Sequence, residues 1–174
     1  CVDVAHGHHI SVMRAVTQLK LVFPDLHIMA GNVATLDGFN ALADAGADSV
    51  RVGVGGGSIC STRIQTGHGV PTFQSVMDCA TSQQDCLLIA DGGIKNSGDM
   101  VKALAAGADA VKFQKRFPDE CVPEKKKLEL RATPWGEMTY LEYRYRVEFG
   151  EEEYKEIDDF CLKENIDWFV SVWD

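Results

Sequence analysis

Ser49-Val-Arg-Val-Gly53-Val54-Gly55-Gly-Gly-Ser-Ile-Cys60-Ser-Thr62-Arg63 passes from an apolar, strand-like run into three consecutive glycines and then a cysteine. Glycine lets the backbone approach a ligand or ion closely and turn its N–H and C=O groups inward. A thiol at the end of such a turn is a candidate nucleophile, because amide dipoles and the nearby Arg63 favour the thiolate. The run before the turn is short and nearly all apolar, as in a strand buried on both faces of a parallel sheet.

The same phrase recurs on both sides of this stretch. Towards the N-terminus, Val2–Ala5 reads as a strand ending at His6-Gly7. Ser11–Leu21 reads as a helix, with Val12, Ala15, Val16 and Leu19 at helical spacing. His27–Asn32 is a second strand, and Leu36–Ala45 a helix stopped by Gly46. Beyond the cysteine, Pro71 starts a helix to about Ala80. Cys86–Ala90 is a strand running into Asp91-Gly92-Gly93, and Ser97 caps a helix with Asp99 in its first turn, ending near Gly107. Ala110–Gln114 is a fifth strand, and Ile166–Trp173 a sixth. Alternating strands and helices of this kind predict an α/β fold: a partial TIM-type (β/α) barrel with about six parallel strands, truncated or composite. The strand C-terminal ends carry Asp3, Asn32, Gly55–Cys60 and Asp91–Gly93, which a (β/α) barrel gathers on the face that holds its site. Taken singly, Asp3 and Asn32 equally suit a cap or turn, and Thr62 suits an ordinary loop hydroxyl.

Composition changes abruptly near residue 111. Residues 1–111 contain no Glu, Trp or Tyr, yet hold all five His and 14 of the 16 Gly. Residues 112–174 hold all three Trp and all four Tyr, and 27 of their 63 residues are charged against 16 of 111 before the break. So sharp a division predicts two segments of different source, 1–111 and 112–174. In the second, Lys115–Pro134 reads as a long polar loop containing Pro118, Pro123 and the Lys125–Lys127 run. Met138–Phe149 fits a strand by alternation, and a helix by Leu141, Tyr145 and Phe149. Glu151–Glu164 reads as a helix with Tyr154, Ile157, Phe160 and Cys161 on one face.

The chain has 174 residues, short of the roughly 250 of a closed eight-stranded barrel. It begins at Cys1, so a truncated N-terminus is expected; two strands before it would bring the count to eight. Open sheet edges invite association, so a homo-oligomer is expected. A formal charge of −9 argues against non-specific nucleic-acid binding. No apolar run approaches the roughly 18–20 residues of a membrane span, and no secretory leader is visible. Six cysteines without paired metal spacing point to reduced thiols and a cytoplasmic location. His6, His8, His9 and His68 lack a coherent set of carboxylate or thiolate co-ligands, so no metal is assigned to them.

Asp3-Val-Ala-His-Gly7, Met29-Ala-Gly-Asn-Val33, Gly55-Gly-Gly-Ser-Ile-Cys-Ser-Thr-Arg63 and Ala90-Asp-Gly-Gly-Ile94 occur in an order that resembles the IMP dehydrogenase/GMP reductase family over residues 1–111. The run at 3–8 and Thr66-Gly67 lean to the reductase branch, whereas Gly69-Val70-Pro71 is closer to many dehydrogenases. The resemblance implies a purine-nucleotide oxidoreductase in which a cysteine adds to purine C2 and hydride moves to or from NADP or NAD. It implies Cys60 as nucleophile and Thr62 as proton relay. Ser58, Asp91, Gly92 and Gly93 would hold the nucleotide (GMP or IMP), with Asp91 on the ribose hydroxyls, the glycines near phosphate and Asn32 under the base. Asp3, Val4, Ala5, Val54 and Gly55 would border the dinucleotide. The carbonyls of Gly55, Gly57 and Cys60 would coordinate a monovalent cation, K+, and Arg63 would anchor the loop.

Ala110-Val-Lys-Phe-Gln-Lys-Arg116, Thr133-Pro-Trp-Gly136, Met138-Thr-Tyr-Leu-Glu-Tyr143 and Asp167-Trp-Phe-Val-Ser-Val-Trp-Asp174 are similar instead to N-acetylneuraminate (sialic acid) synthase, over residues 108–174. That resemblance implies metal-dependent condensation of phosphoenolpyruvate with an N-acetylated amino sugar, with Lys112 and Gln114 on its substrate-binding strand. Its first-strand glutamate and metal-binding histidines are absent from this chain. Likewise Gln114-Lys115 stand where the oxidoreductases have a phosphate-binding Gly-Ser turn, and their flap is absent. Lys115 and Arg116 are candidates to replace the missing phosphate donors with charge. The readings are thus an oxidoreductase of the first family, a synthase-type enzyme, or an inactive composite.

Overall fold

The computed structural model describes residues 1–57 and 60–173. In chain order its elements are β1 (Val2–Asp3), α1 (Ile10–Val22), β2 (Met29–Val33), α2 (Leu36–Asp44), β3 (Ser49–Val52), α3 (Thr62–Thr66), α4 (Thr72–Cys79), β4 (Leu87–Asp91), α5 (Ser97–Ala105) and β5 (Ala110–Arg116). They continue through α6 (Pro118–Cys121), α7 (Glu124–Lys127), β6 (Leu130–Thr133), β7 (Gly136–Thr139), α8 (Tyr140–Val147), α9 (Glu151–Glu164) and β8 (Asp167–Trp173). A six-stranded sheet has the order β1-β2-β3-β4-β5-β8, with parallel pairing between successive strands from β1 to β5. Helices fill the crossovers, and the fold is a partial TIM-type (β/α) barrel.

Two compact units divide the chain. One comprises residues 1–112 with Ile166–Trp168; the other comprises Phe113–Asn165 with β8 from Phe169 onward. In the first, all four residues of β3 are buried, as its unbroken apolar character requires of a strand covered on both faces. Val50, Val52, Ala30 and Ala90 supply the strand side of the core. Val16, Phe39, Leu42, Val76 and Met100 supply the helix side. The helices start where side chains satisfy orphan amides. Thr35 accepts the Gly38 N–H at 3.3 Å to open α2. At α5 the cap is Asn96, whose Oδ1 accepts the Asp99 N–H at 2.9 Å, so Ser97 is the first helical residue rather than the predicted cap. The physical reason is reach: an Asx side chain one residue earlier already bonds N3.

The second unit departs most from expectation. Lys115–Pro134 is not one long loop: Pro118 opens α6, Pro123 precedes α7, and Leu130–Thr133 forms β6. Proline's fixed φ pre-organises a first helical turn, so these prolines start helices here instead of breaking structure. β6 pairs antiparallel with β7 across Pro134-Trp135, with Thr133 opposite Gly136. Met138–Phe149 contains both alternatives, since β7 ends where a Thr139/Glu142 capping box starts α8. Within this unit Phe113 packs edge-on against Phe149, and Phe149 against Tyr154. The Lys115 ammonium donates to the Phe149 carbonyl, and Arg116 donates to Gln114 Oε1 at 2.6 Å. Both cations thus make contacts within this unit.

Candidate active site

The carboxyl ends of the strands line up by register. Asp3 stands opposite Gly31, Gly31 opposite Arg51, Val52 opposite Ala90 and Asp91 opposite Lys112. Because these pairings are parallel, every crossover delivers its polar residue to the same end. Asn32 ties the centre together: its Nδ2 donates to the Gly53 carbonyl and to Asp91 Oδ2, both at 2.8 Å. Its Oδ1 is buried and has no partner among the described residues. Asp91 accepts from the Lys112 ammonium on its other oxygen at 3.0 Å. At the neighbouring position Arg51, 4% exposed, pairs with Asp3, which stays half-exposed at 49%. Val4 follows as the sheet's continuation, donating to the Gly31 carbonyl and accepting from Asn32 N–H at 2.9 Å each; Ala5 is exposed.

The turn after β3 is shaped by close approach. A Cβ on Gly53, at φ +149°, would lie 1.8 Å from the Asp91 carbonyl oxygen, so only glycine fits there. Val54 bonds onward through its carbonyl to Val70 N–H at 3.1 Å. Gly92 and Gly93, both at positive φ, press on Gly56 and Gly57: a Cβ on Gly92 would come within 3.2 Å of Gly57 N. The Arg63 stem lies against Gly55 and Gly69, where an added Cβ on either would meet its Cγ at 2.6 Å. A cleft of about 420 Å³ opens here, lined by Gly55, Gly56, Arg63, Thr72, Gly92 and Gly93 among others.

Cys60 closes the loop. Its N–H donates to the Gly57 carbonyl at 3.1 Å, and its Sγ lies 3.3 Å from Thr62 Oγ1, the first residue of α3. The Thr62 hydroxyl, then the Thr62 N–H, hold this thiol below its usual pKa against the opposing effect of burial; Gly55 N–H and the Arg63 charge add to them. Cys79 shows the contrast: burial, with the Asp78 charge adding to it, pushes its thiol up to about 11.

Of the predicted residues, Asn32 and Asp91 form one hydrogen-bonded cluster with Gly53, Gly92 and Gly93 pack on the glycine loop, and Cys60 and Thr62 form a pair. Ser58 lies outside the described residues. Arg51 and the Lys112–Asp91 contact were not anticipated, although each is a lone charge within an apolar strand run. Among the described residues no group of three or more His, Cys, Asp or Glu side chains could hold a metal, and no helix is long and apolar enough to cross a membrane.

Fold and site together define a (β/α)-barrel protein that carries a glycine-framed cysteine loop at its strand ends. The family model described as IMP dehydrogenase / GMP reductase domain matches residues 1–118, and the chain belongs to that family. The NeuB family model matches residues 100–174. Inosine-5'-monophosphate dehydrogenase of Aquifex aeolicus is 55% identical over 112 residues, covering 63% of this chain and 23% of that protein. The Rhizobium tropici enzyme of the same name is 57% identical over 111 residues, covering 63% and 22%. Among solved structures, a GMP reductase from Trypanosoma brucei superimposes with a TM-score of 0.60 at 44% identity, covering 63% of this chain and 26% of that one. The chain thus spans about a quarter of the length of the relatives it matches.

Proposed function

We propose that this chain carries the nucleotide-facing part of a purine-nucleotide oxidoreductase of the GMP reductase/IMP dehydrogenase type. The observation that carries the proposal is Cys60 at the end of its glycine loop, 3.3 Å from the Thr62 hydroxyl and with its thiol pKa lowered. The thiolate adds to C2 of the purine. In the reductive direction GMP loses ammonia from C2, hydride arrives there, and the thiolate departs to leave IMP. In the oxidative direction hydride leaves C2 of bound IMP, and water later releases the nucleotide from sulfur. NADP or NAD, when bound, supplies or takes the hydride.

Thr62 holds the relayed proton at Oγ1 beside the sulfur. Asn32 is placed under the base, Asp91 at the ribose, and Ser58, Gly92 and Gly93 towards the phosphate. Asp3, Val4, Ala5, Val54 and Gly55 border the dinucleotide; the exposure of Asp3, Val4 and Ala5 suits that role. The carbonyls of Gly55, Gly57 and Cys60 are the proposed ring for K+. The Gly57 carbonyl accepts Cys60 N–H and keeps a second lone pair for the cation. A cytoplasmic homo-oligomer that binds neither nucleic acid nor membrane completes the reading.

The synthase-type reading has less support. The Lys112 side chain is 2% exposed and its ammonium is held by Asp91, which withdraws it from a substrate contact. The test is covalent trapping. The chain is incubated with IMP and NAD+, or with GMP and NADPH, quenched in acid and digested. The Cys60 peptide should carry a purine nucleotide, and Cys60→Ser should carry none. An unmodified Cys60 peptide under both conditions contradicts the proposal and leaves the inactive composite.

A further inference from the structure

The Asp91 carboxylate is engaged from within the protein. Its Oδ1 accepts from Lys112 Nζ at 3.0 Å and its Oδ2 from Asn32 Nδ2 at 2.8 Å. The Lys112 and Asp91 side chains are only 2% and 9% exposed. The two residues stand opposite each other in the β4–β5 register, so the pair is built into the sheet. Lys112 interrupts Ala110-Val-Lys-Phe113, where Val111 and Phe113 are buried with it. A buried ammonium needs a partner, because removing one member of such a pair strands the other charge. Lys112 therefore stays on Asp91.

Two adjacent sugar hydroxyls are read by a carboxylate that accepts one donor on each oxygen. Here each oxygen already accepts one protein donor, and the ammonium beside it neutralises the carboxylate, so the lone pair that each oxygen keeps is a weaker acceptor for a sugar hydroxyl. We infer that Lys112 is a specificity-determining residue: it neutralises Asp91, so the site holds a purine nucleotide with little discrimination at the ribose hydroxyls. This rests on the nucleotide reading given above. Selectivity built on hydrogen bonds to a hydroxyl is strong only where the analogue lacking it leaves a site group unpaired. With Lys112 in place, loss of the hydroxyls unpairs nothing.

The experiment compares IMP with 2',3'-dideoxy-IMP by calorimetric titration of the unaltered chain, then of Lys112→Met. The unaltered chain should bind the two nucleotides within about twofold of each other. Lys112→Met releases Asp91 Oδ1 and should bind IMP at least tenfold more tightly than the unaltered chain does, with the dideoxy nucleotide unchanged. A tenfold preference of the unaltered chain for IMP overturns the inference and leaves the nucleotide site standing. So does a folded Lys112→Met that gains no preference. Binding of neither nucleotide to the unaltered chain contradicts the nucleotide site itself, and the inference falls with it. Should Lys112→Met not fold, the comparison on the unaltered chain decides alone.

Discussion

The Cys60 thiol is held below its ordinary pKa chiefly by the residue two positions on. The Thr62 hydroxyl and N–H stabilise the thiolate, and the shift is downward, so thiolate is enriched at neutral pH and lost as pH falls through the lowered value. Thr62→Val keeps the shape and removes the hydroxyl. Hydrogen bonds to a charged group contribute about 1.5–3 kcal/mol, so alkylation of Cys60 at pH 7 should slow by about tenfold and its pH profile should move upward. An unmoved profile would mean that the hydroxyl does not tune the sulfur. At this scale the sequence showed Cys60, Asn32 and Asp91 as polar residues at strand ends. It hid what they touch: nothing local in Val-Lys-Phe indicates that Lys112 faces Asp91, because that contact depends on the register between β4 and β5.

The turn after β3 fixes how closely β3 and β4 ends approach. Gly53→Ala places a methyl 1.8 Å from the Asp91 carbonyl oxygen at a φ that L-residues rarely adopt. It should lower stability by roughly 2–4 kcal/mol, measured by urea unfolding. Unchanged stability would show that the two ends do not meet. At the opposite end of the sheet Asp48 joins α1 to β2. Burial raises its pKa, but the hydrogen bonds from Lys20 and Ile28 N–H and the charges of Lys20 and His27 bring it below the ordinary value. A lowered folded-state pKa means stability that is present above the unfolded pKa and lost as pH falls through the folded one. The carboxylate is partly exposed at 35%, which discounts the effect. Asp48→Asn should lower Tm by about 2–4 °C at pH 7, and the gap should close at acid pH. A gap that persists in acid would separate the effect from ionisation. The elements of residues 1–111 were legible because buried parallel strands and amphipathic helices have distinct periods. Those of 112–150 were not, because short helices started by proline and a two-residue hairpin turn lie within a charged stretch of no clear period.

Across the molecule, the sheet order runs from β1 at one end to β8 at the other, and neither edge is paired in the described structure. β1 has two residues and offers little, whereas β8 has seven, with Val172 59% exposed. A long apolar edge strand is a template for pairing with another chain. Light scattering should therefore report a mass above the 19.1 kDa of one chain, and Val172→Lys should reduce it. A monomer in both cases would contradict the homo-oligomer. The proposed function requires that the residues of the IMP dehydrogenase/GMP reductase segment form a purine site around their cysteine. The most direct measurement is the rate at which iodoacetamide alkylates Cys60, followed by mass spectrometry of the Cys60 peptide with and without saturating IMP or GMP. Nucleotide should slow alkylation of Cys60 at least tenfold and leave Cys86 unaffected. An alkylation rate at Cys60 that neither nucleotide changes would contradict the proposed function.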